Sequence, residues 1–155
     1  MTMATVEMSF TPLPAHVRTA RLVATAVARR SGVDEALLDE VRLAVGEACS
    51  RAVEAHQAHC PAEPVRVALT GANGRFEVVV TDTAAQRAAT PGGMENGSVA
   101  PAGERPAVAG DAGPLAVPAE LGLAVIEGLA DDVEIAHTDA GLSIRMSWPS
   151  SAAAS

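Results

Sequence analysis

Two kinds of periodicity in the apolar residues divide the chain into regular segments. Residues 5–10 alternate, with Val6, Met8 and Phe10 on one side, which predicts a strand. Residues 34–57 repeat apolar side chains at helical spacing and begin with two acids that suit a helix N-terminus, which predicts a long helix. The predicted elements are, in chain order, a strand at 5–10, helices at 15–31 and 34–57, strands at 65–71 and 75–82, a helix at 119–130, and strands at 131–138 and 142–148.

Turn residues separate these segments where the backbone must change direction. Gly32 follows the first helix as a C-cap, and Gly74 lies between two alternating runs, where a hairpin turn needs a positive φ. The resulting order, β-αα-ββ-loop-α-ββ, predicts an α/β two-layer sandwich: one mixed, mostly antiparallel sheet with its helices packed on one face. We expect a single domain over residues 1–148 and a flexible tail at 149–155.

The segment between the hairpin and the third helix has no apolar periodicity. Residues 87–118 contain five of the ten prolines and six of the thirteen glycines, with almost no large apolar side chains. A loop of this length inside a compact domain is usually a functional lid or is disordered. We predict a lid loop here.

Charge and composition exclude several classes of function. The chain has 19 acidic and 11 basic residues, and its net charge of −8 disfavours binding to nucleic acid or to an anionic membrane. Every basic residue is arginine, so no mechanism can use a P-loop lysine or a lysine Schiff base. Because there are only two cysteines and no long apolar run, we expect a soluble cytoplasmic protein without a metal site or membrane segment.

The histidines and the central cysteine show no pattern typical of a metal or nucleophile site. His56 and His59 are three residues apart near a helix end, and for them, as for His16 and His137, we expect helix-end charge or solvent exposure. Cys49 has no histidine near it in sequence to activate the thiol. We therefore predict that it is a small core residue.

Three segments carry a resemblance to a known family: VRLAVGEACSRAVEAH at 41–56, VVVTD at 78–82, and LGLAVIEGLADDVEI at 121–135. With the long loop between the last two, they resemble the GHKL ATPases, which have the Bergerat fold. The similarity is to the small anti-sigma-factor and serine-kinase branch, which works by partner switching in bacteria. It runs over about residues 5–148, nearly the whole chain.

The resemblance implies a catalytic role for Glu47. In the family a glutamate on this helix orients or deprotonates a nucleophile beside the γ-phosphate. Four residues later the family has an asparagine that ligates Mg²⁺, and here that position is Arg51, which offers only hydrogen-bond donors. Two alternatives stay open: Glu47 and Arg51 form an i,i+4 ion pair worth about 0.3–0.5 kcal/mol, or Arg51 takes the place of the cation, holding a phosphate or keeping the pocket closed.

Asp82 matches the carboxylate that reads adenine in the family. An aspartate at the end of a strand is also a common turn former, and this alternative stays open. The glycines that follow in the family are Ala84 and Gln86 here, so the close approach of backbone to nucleotide is lost.

Gly122 and Leu123 match the end of the family's Gly-x-Gly-Leu segment, which opens the helix after the lid. The first glycine of that segment is Glu120 here. In the family this helix N-terminus faces the phosphates, and an acidic residue there competes with a triphosphate. An ordinary charge interaction with the helix dipole is the alternative for Glu120.

The resemblance implies a regulator that binds a sigma factor, a STAS-domain anti-anti-sigma protein, or both. ATP or ADP binding is implied by the family, but Mg²⁺ is not expected, because its ligand is replaced. Relatives of this branch dimerise through the sheet, and the sequence leaves such a homodimer open for the present chain. Arg18 and Arg21 could meet an acidic partner, and an ordinary solvated face is the alternative. The alternative is an active ATP-dependent protein serine kinase that phosphorylates a STAS-domain antagonist, with Glu47 as base and Asp82 reading adenine. A third possibility is nucleotide binding without catalysis.

Overall fold

A computed structural model describes residues 4–84, 119–138 and 141–151 of the chain. The predicted lid loop at 87–118 lies outside the described residues. Within them, helices and strands follow in the predicted order: β1 (Ala4–Phe10), α1 (Pro14–Arg30), α2 (Glu35–His59), β2 (Val65–Ala72), β3 (Arg75–Asp82), α3 (Ala119–Leu129), β4 (Asp132–Thr138) and β5 (Gly141–Pro149).

The described strands form one sheet in the order β1-β2-β3-β5-β4. Each pairing between neighbours is antiparallel. The helices pack on one face of this sheet, so the predicted two-layer sandwich is confirmed.

Alternation along the strands places apolar side chains on the face that the helices cover. In β3, for example, Phe76, Val78 and Val80 are buried while the residues between them are partly exposed. The helical side of the core is built largely from small residues, which lets α1 and α2 pack closely. Trp148 of β5 is buried, and its indole N–H donates to the carbonyl of Leu129 at 3.1 Å, which joins the sheet to the end of α3.

Residues at the ends of helices and strands have the hydrogen bonds and dihedral angles that are typical of caps and turns. The side chain of Asp34 accepts a hydrogen bond from the N–H of Ala36 at 2.8 Å and caps α2. Gly32 follows α1 with a φ of 91°, and the β2–β3 turn has positive φ at Asn73 (55°) and Gly74 (76°). Two positive φ values are typical of a type I′ hairpin turn, so the prediction for Gly74 is confirmed.

The first residues of the predicted tail are held against the domain. Pro149 ends β5, the N–H of Ser150 donates to the carbonyl of Gly74 at 2.8 Å, and the N–H of Ser151 donates to Gly32 at 2.9 Å. Residues 152–155 lie outside the described part of the chain.

The face of the sheet away from the helices carries charged side chains. Arg145 bonds to Glu77 at 3.1 Å and to Glu134, and these two carboxylates raise the pKa of the arginine. Arg75 bonds to Asp131 at 2.9 Å on the same side. None of the helices in the described residues combines the length and the apolar character needed to cross a membrane.

Candidate functional site

The central helix α2 organises the candidate site, because it contacts α1 on one side and α3 on the other. Gly46 marks the contact with α1: a β-carbon built there would lie 2.6 Å from Cδ of Arg21. The missing side chain gives Arg21 room to lie across α2. Arg21 is therefore partly covered, whereas Arg18, one turn earlier, is exposed.

Glu47, Arg51 and Gly122 meet where α2 contacts the first turns of α3. A β-carbon built on Gly122 would lie 2.6 Å from Oε2 of Glu47 and 3.3 Å from Cδ of Arg51. Only glycine therefore fits at this position without displacing the two charged side chains. The fold brings Gly122 against two predicted site residues that are far from it in sequence.

Glu47 and Arg51 do not form the ion pair that their spacing allows. No salt bridge joins them within the described part of the chain, although both side chains lie against Gly122. The Nε atom of Arg51 is buried and has no hydrogen-bond partner. The interpretation as an i,i+4 ion pair is therefore not supported, and the charge of Arg51 is left without a carboxylate partner among the described residues.

Arg51 cannot act as a magnesium ligand at this corner. Mg²⁺ is held by carboxylate, phosphate and water oxygens in octahedral geometry, whereas Arg51 presents only donors and a positive charge. Among the described residues, no group of three or more His, Cys, Asp or Glu side chains could hold a metal ion. The guanidinium repels a divalent cation and attracts an anion.

Asp82 lies at the end of β3 and is 6% exposed. Its Oδ1 accepts a hydrogen bond from the N–H of Ala84 at 3.1 Å, which is the geometry of an Asx turn. Ala84, which replaces a glycine of the family pattern, is also buried. The structure thus places Asp82 in a turn, and its contact with an adenine stays a prediction.

The expectation of helix-end charge or solvent exposure is wrong for His56, which is fully buried. Its Nδ1 lies 2.9 Å from the carbonyl oxygen of Glu63, and its Nε2 accepts a hydrogen bond from the N–H of Thr83 at 3.0 Å. Because Thr83 follows Asp82, the imidazole joins the end of α2 to the turn at Asp82. The other three histidines are at the surface, as expected: His59 and His137 are exposed, and His16, near the start of α1, is partly exposed.

Cys49 is a core residue, as predicted, with no exposed surface. Burial raises the pKa of the thiol to about 12, and the positive charge of Arg21 acts in the opposite direction. The thiol is therefore protonated at neutral pH, which excludes it as a nucleophile in the folded protein.

The remaining predicted site residue, Leu123, is partly buried and packs against the core. Glu120 is the second residue of α3, at the helix N-terminus where the sequence places it. The predicted lid loop at 87–118 includes Gly92, Gly93 and Gly97, which also lie outside the described residues.

The described residues form a two-layer α/β sandwich with a charged corner between α2 and α3. The profile of the histidine kinase-like ATPase domain family matches residues 10–148. The chain therefore belongs to that family.

The fold of the chain is also found in a solved structure. The chain is similar to the crystal structure of the RsbU and RsbW domains of Rv1364c from Mycobacterium tuberculosis, with a TM-score of 0.61 and 17% sequence identity. The match covers 95% of this chain but only 32% of that chain. It supports the fold. No curated protein matched the sequence.

Proposed function

We propose that this chain is a partner-switching regulator, which binds a sigma factor, a STAS-domain antagonist, or both, in the bacterial cytoplasm. Membership of the histidine kinase-like ATPase family and the likeness to a structure with an RsbW domain support this proposal. In this proposal, binding of the partner is the activity, and phosphoryl transfer is lost because Arg51 stands where a magnesium ligand is needed.

The observation that carries the proposal is a groove between α1 and α2, which we call the α1/α2 groove. Two leucines in it are exposed although large and apolar: Leu22 is 59% exposed and Leu43 is 54% exposed. Three arginines line the same groove: Arg18, Arg21 and Arg42, of which Arg42 is ion-paired with Asp39. In a chain with a net charge of −8, this local concentration of positive charge favours an acidic segment with apolar side chains as the occupant.

Pairwise binding measurements test whether a partner protein occupies the α1/α2 groove. Purified sigma factors and STAS-domain proteins from the same genome would be measured against the full chain by biolayer interferometry. We expect Leu43→Glu to weaken the binding of the partner at least about 10-fold, because anchor residues of an interface contribute about 2 kcal/mol or more. Val125→Glu is the matched control, since Val125 is a similarly exposed apolar residue on α3. The proposal is wrong if no member of the panel binds, or if Leu43→Glu binds like Val125→Glu.

An active serine kinase is the second candidate function. The observation in its favour is the Glu47 carboxylate, which is partly exposed beside Gly122 and could act as a general base. We expect no transfer of labelled phosphate from ATP and Mg²⁺ to the serine of a STAS-domain partner. Transfer by the wild-type chain, together with its loss in a folded Glu47→Gln variant, would establish the kinase instead.

A further inference from the structure

Strand β1 lies at an edge of the sheet and has backbone groups without a partner strand. Among the described residues it pairs only with β2, over the whole of Ala4–Phe10. In an antiparallel pair every second residue directs its N–H and C=O away from the neighbouring strand, so one row of donors and acceptors on β1 faces outward. The sheet can therefore accept a further strand at this edge.

The helices cover the apolar side of β1 only in part. Val6 lies opposite the buried Leu69, so its side chain is on the helical face of the sheet. It is nevertheless 39% exposed, and Met8, two residues later on the same face, is only partly buried. Apolar surface is thus available here for side chains of an added strand to cover.

A cleft of about 640 Å³ lies beside β1, between its last residues and the first turns of α1. Its apolar walls come from Met8, Phe10, Ala20 and Pro64. Ser9 lies between two of these residues and also lines the cleft, so the cleft follows the backbone of the strand. A volume of about 300–1,000 Å³ is typical of ligand pockets, so there is room for side chains of a bound segment.

His16 gives this cleft a wall that is ordered before binding. Its Nδ1 lies 3.0 Å from the carbonyl oxygen of Thr11, which can only accept, so the ring donates from Nδ1. The ring also packs edge-on against Phe10, with the two centroids 6.0 Å apart. Side chains that are already held lose little further freedom when a ligand binds, which favours affinity.

Glu7 determines which charge fits at this edge. Its side chain is exposed on the open face of the sheet, and it forms no ion pair with any described residue. Arg66 of β2 is diagonal to Glu7 in the pairing but is not bonded to it. Opposite charges directly across two strands stabilise the pair. A strand added to β1 should therefore have a basic residue opposite Glu7, with apolar residues on both sides of it in sequence, because neighbours along a strand point to opposite faces.

A second copy of β1 does not meet this requirement. Glu7 is the middle residue of Ala4–Phe10, so antiparallel pairing of the whole strand with its copy brings Glu7 opposite Glu7. Like charges in this position destabilise a strand pair. The charge at this edge therefore favours a segment of a different protein.

We infer that β1 and the cleft beside it bind an extended segment of another protein, in which a basic residue lies between two apolar residues. The segment adds a sixth strand to the sheet: its backbone pairs with β1, its apolar side chains cover Val6 and Met8, and its basic side chain pairs with Glu7. The α1/α2 groove has different lining residues, so this inference does not rest on the proposed function.

Binding of synthetic peptides to the full chain, measured by fluorescence polarisation, tests the inference. The probe is a labelled nine-residue peptide that alternates threonine and valine and has lysine in place of the central threonine. One control peptide has the same composition with its valines consecutive, and a second has glutamate instead of lysine. We expect the alternating lysine peptide to bind with saturation and the glutamate peptide to bind at least about 3-fold more weakly.

Variants separate the charge of β1 from the space in the cleft. Glu7→Lys should bind the lysine peptide about 3- to 10-fold more weakly than the wild type does, and the glutamate peptide more tightly. Thr19→Trp places a large side chain in the cleft and should weaken both peptides about 10-fold or more. Ala26→Trp is the matched control, because Ala26 is exposed on α1 and does not line the cleft. Leu43→Glu should also bind both peptides like the wild type, so a failure of the proposed function is recognised separately.

Hydrogen exchange shows whether the peptide is bound as a strand. The amides of β1 that face away from β2 should become protected when the lysine peptide binds, whereas the amides of β4 at the other edge should not change. Unchanged exchange in β1 would overturn the inference, because a peptide held by side chains alone adds no backbone hydrogen bonds.

Four further results would also overturn it. They are no binding of the alternating lysine peptide, equal binding of the peptide with consecutive valines, no exchange of preference in Glu7→Lys, and a dimer in light scattering that Thr19→Trp dissociates. The last result would identify a second copy of the chain as the occupant. Thermal melts confirm that each variant is folded. If Thr19→Trp does not fold, the exchange of charge between Glu7→Lys and the two peptides decides.

Discussion

Alanine at Gly141 should destabilise the protein by about 3 kcal/mol or more, because the new β-carbon would collide with backbone atoms. It would lie 2.0 Å from the carbonyl oxygen of Asp82 and 2.9 Å from Cα of Thr83. Gly141 also has a φ of 128°, which L side chains rarely adopt. Since no rotamer change can relieve a clash with backbone, the start of β5 or the end of β3 must move. Urea unfolding, monitored by circular dichroism, measures the decrease in the free energy of unfolding.

Gly128 is the matched control for this prediction. It lies inside α3, and no atom is within 4 Å of a β-carbon built there. Gly128→Ala should therefore stabilise the protein by about 0.5–1 kcal/mol through helix propensity alone. A Gly141→Ala variant as stable as the wild type would contradict the close approach of β5 to Asp82.

The fold could be predicted from the sequence because its signals are local. The period of the apolar residues distinguishes α2 from β3, Asp34 marks the start of α2, and Gly74 marks the hairpin. Each of these features depends on residues within one or two turns of each other. Element ends differ from the prediction by one or two residues, as expected where hydrogen bonding stops gradually.

The candidate site could be predicted only in part. Glu47, Arg51 and Gly122 were identified one by one, through the resemblance, and the structure brings them to one corner. Their spacing in sequence also allowed an ion pair, which does not form. Spacing along a helix shows which residues can meet, but packing of α3 against α2 decides which groups are actually in contact.

The role of His56 could not be predicted from the sequence, because it depends on residues far away along the chain. Its two partners, Glu63 and Thr83, belong to the loop before β2 and to the turn after β3. Nothing in the local pattern of a histidine near a helix end indicates these bonds. The same holds for Gly141, whose need for a small side chain arises from Asp82 on a neighbouring strand.

Replacing His56 with leucine should destabilise the protein by about 2–5 kcal/mol, because two partly buried backbone groups lose their hydrogen bonds to the imidazole at once. Leucine fills much of the space of the imidazole but can neither donate to the Glu63 carbonyl nor accept from the Thr83 N–H. His59→Leu is the control on the same helix, where the exposed position predicts a change within about 0.5 kcal/mol. Chemical denaturation measures the free energy of unfolding of the two variants.

Loss of the imidazole should also be visible at the turn that holds Asp82. The Thr83 N–H is bonded to Nε2 of His56, and the N–H of Ala84 is bonded to Asp82, so both amides should be protected from hydrogen exchange in the wild type. In His56→Leu we expect faster exchange at Thr83 than at amides in the centre of β3. If His56→Leu and His59→Leu are equally stable and exchange at Thr83 is unchanged, the imidazole does not hold the turn. If both change as expected, His56 positions Asp82 from the end of α2, and it therefore affects any ligand that Asp82 contacts.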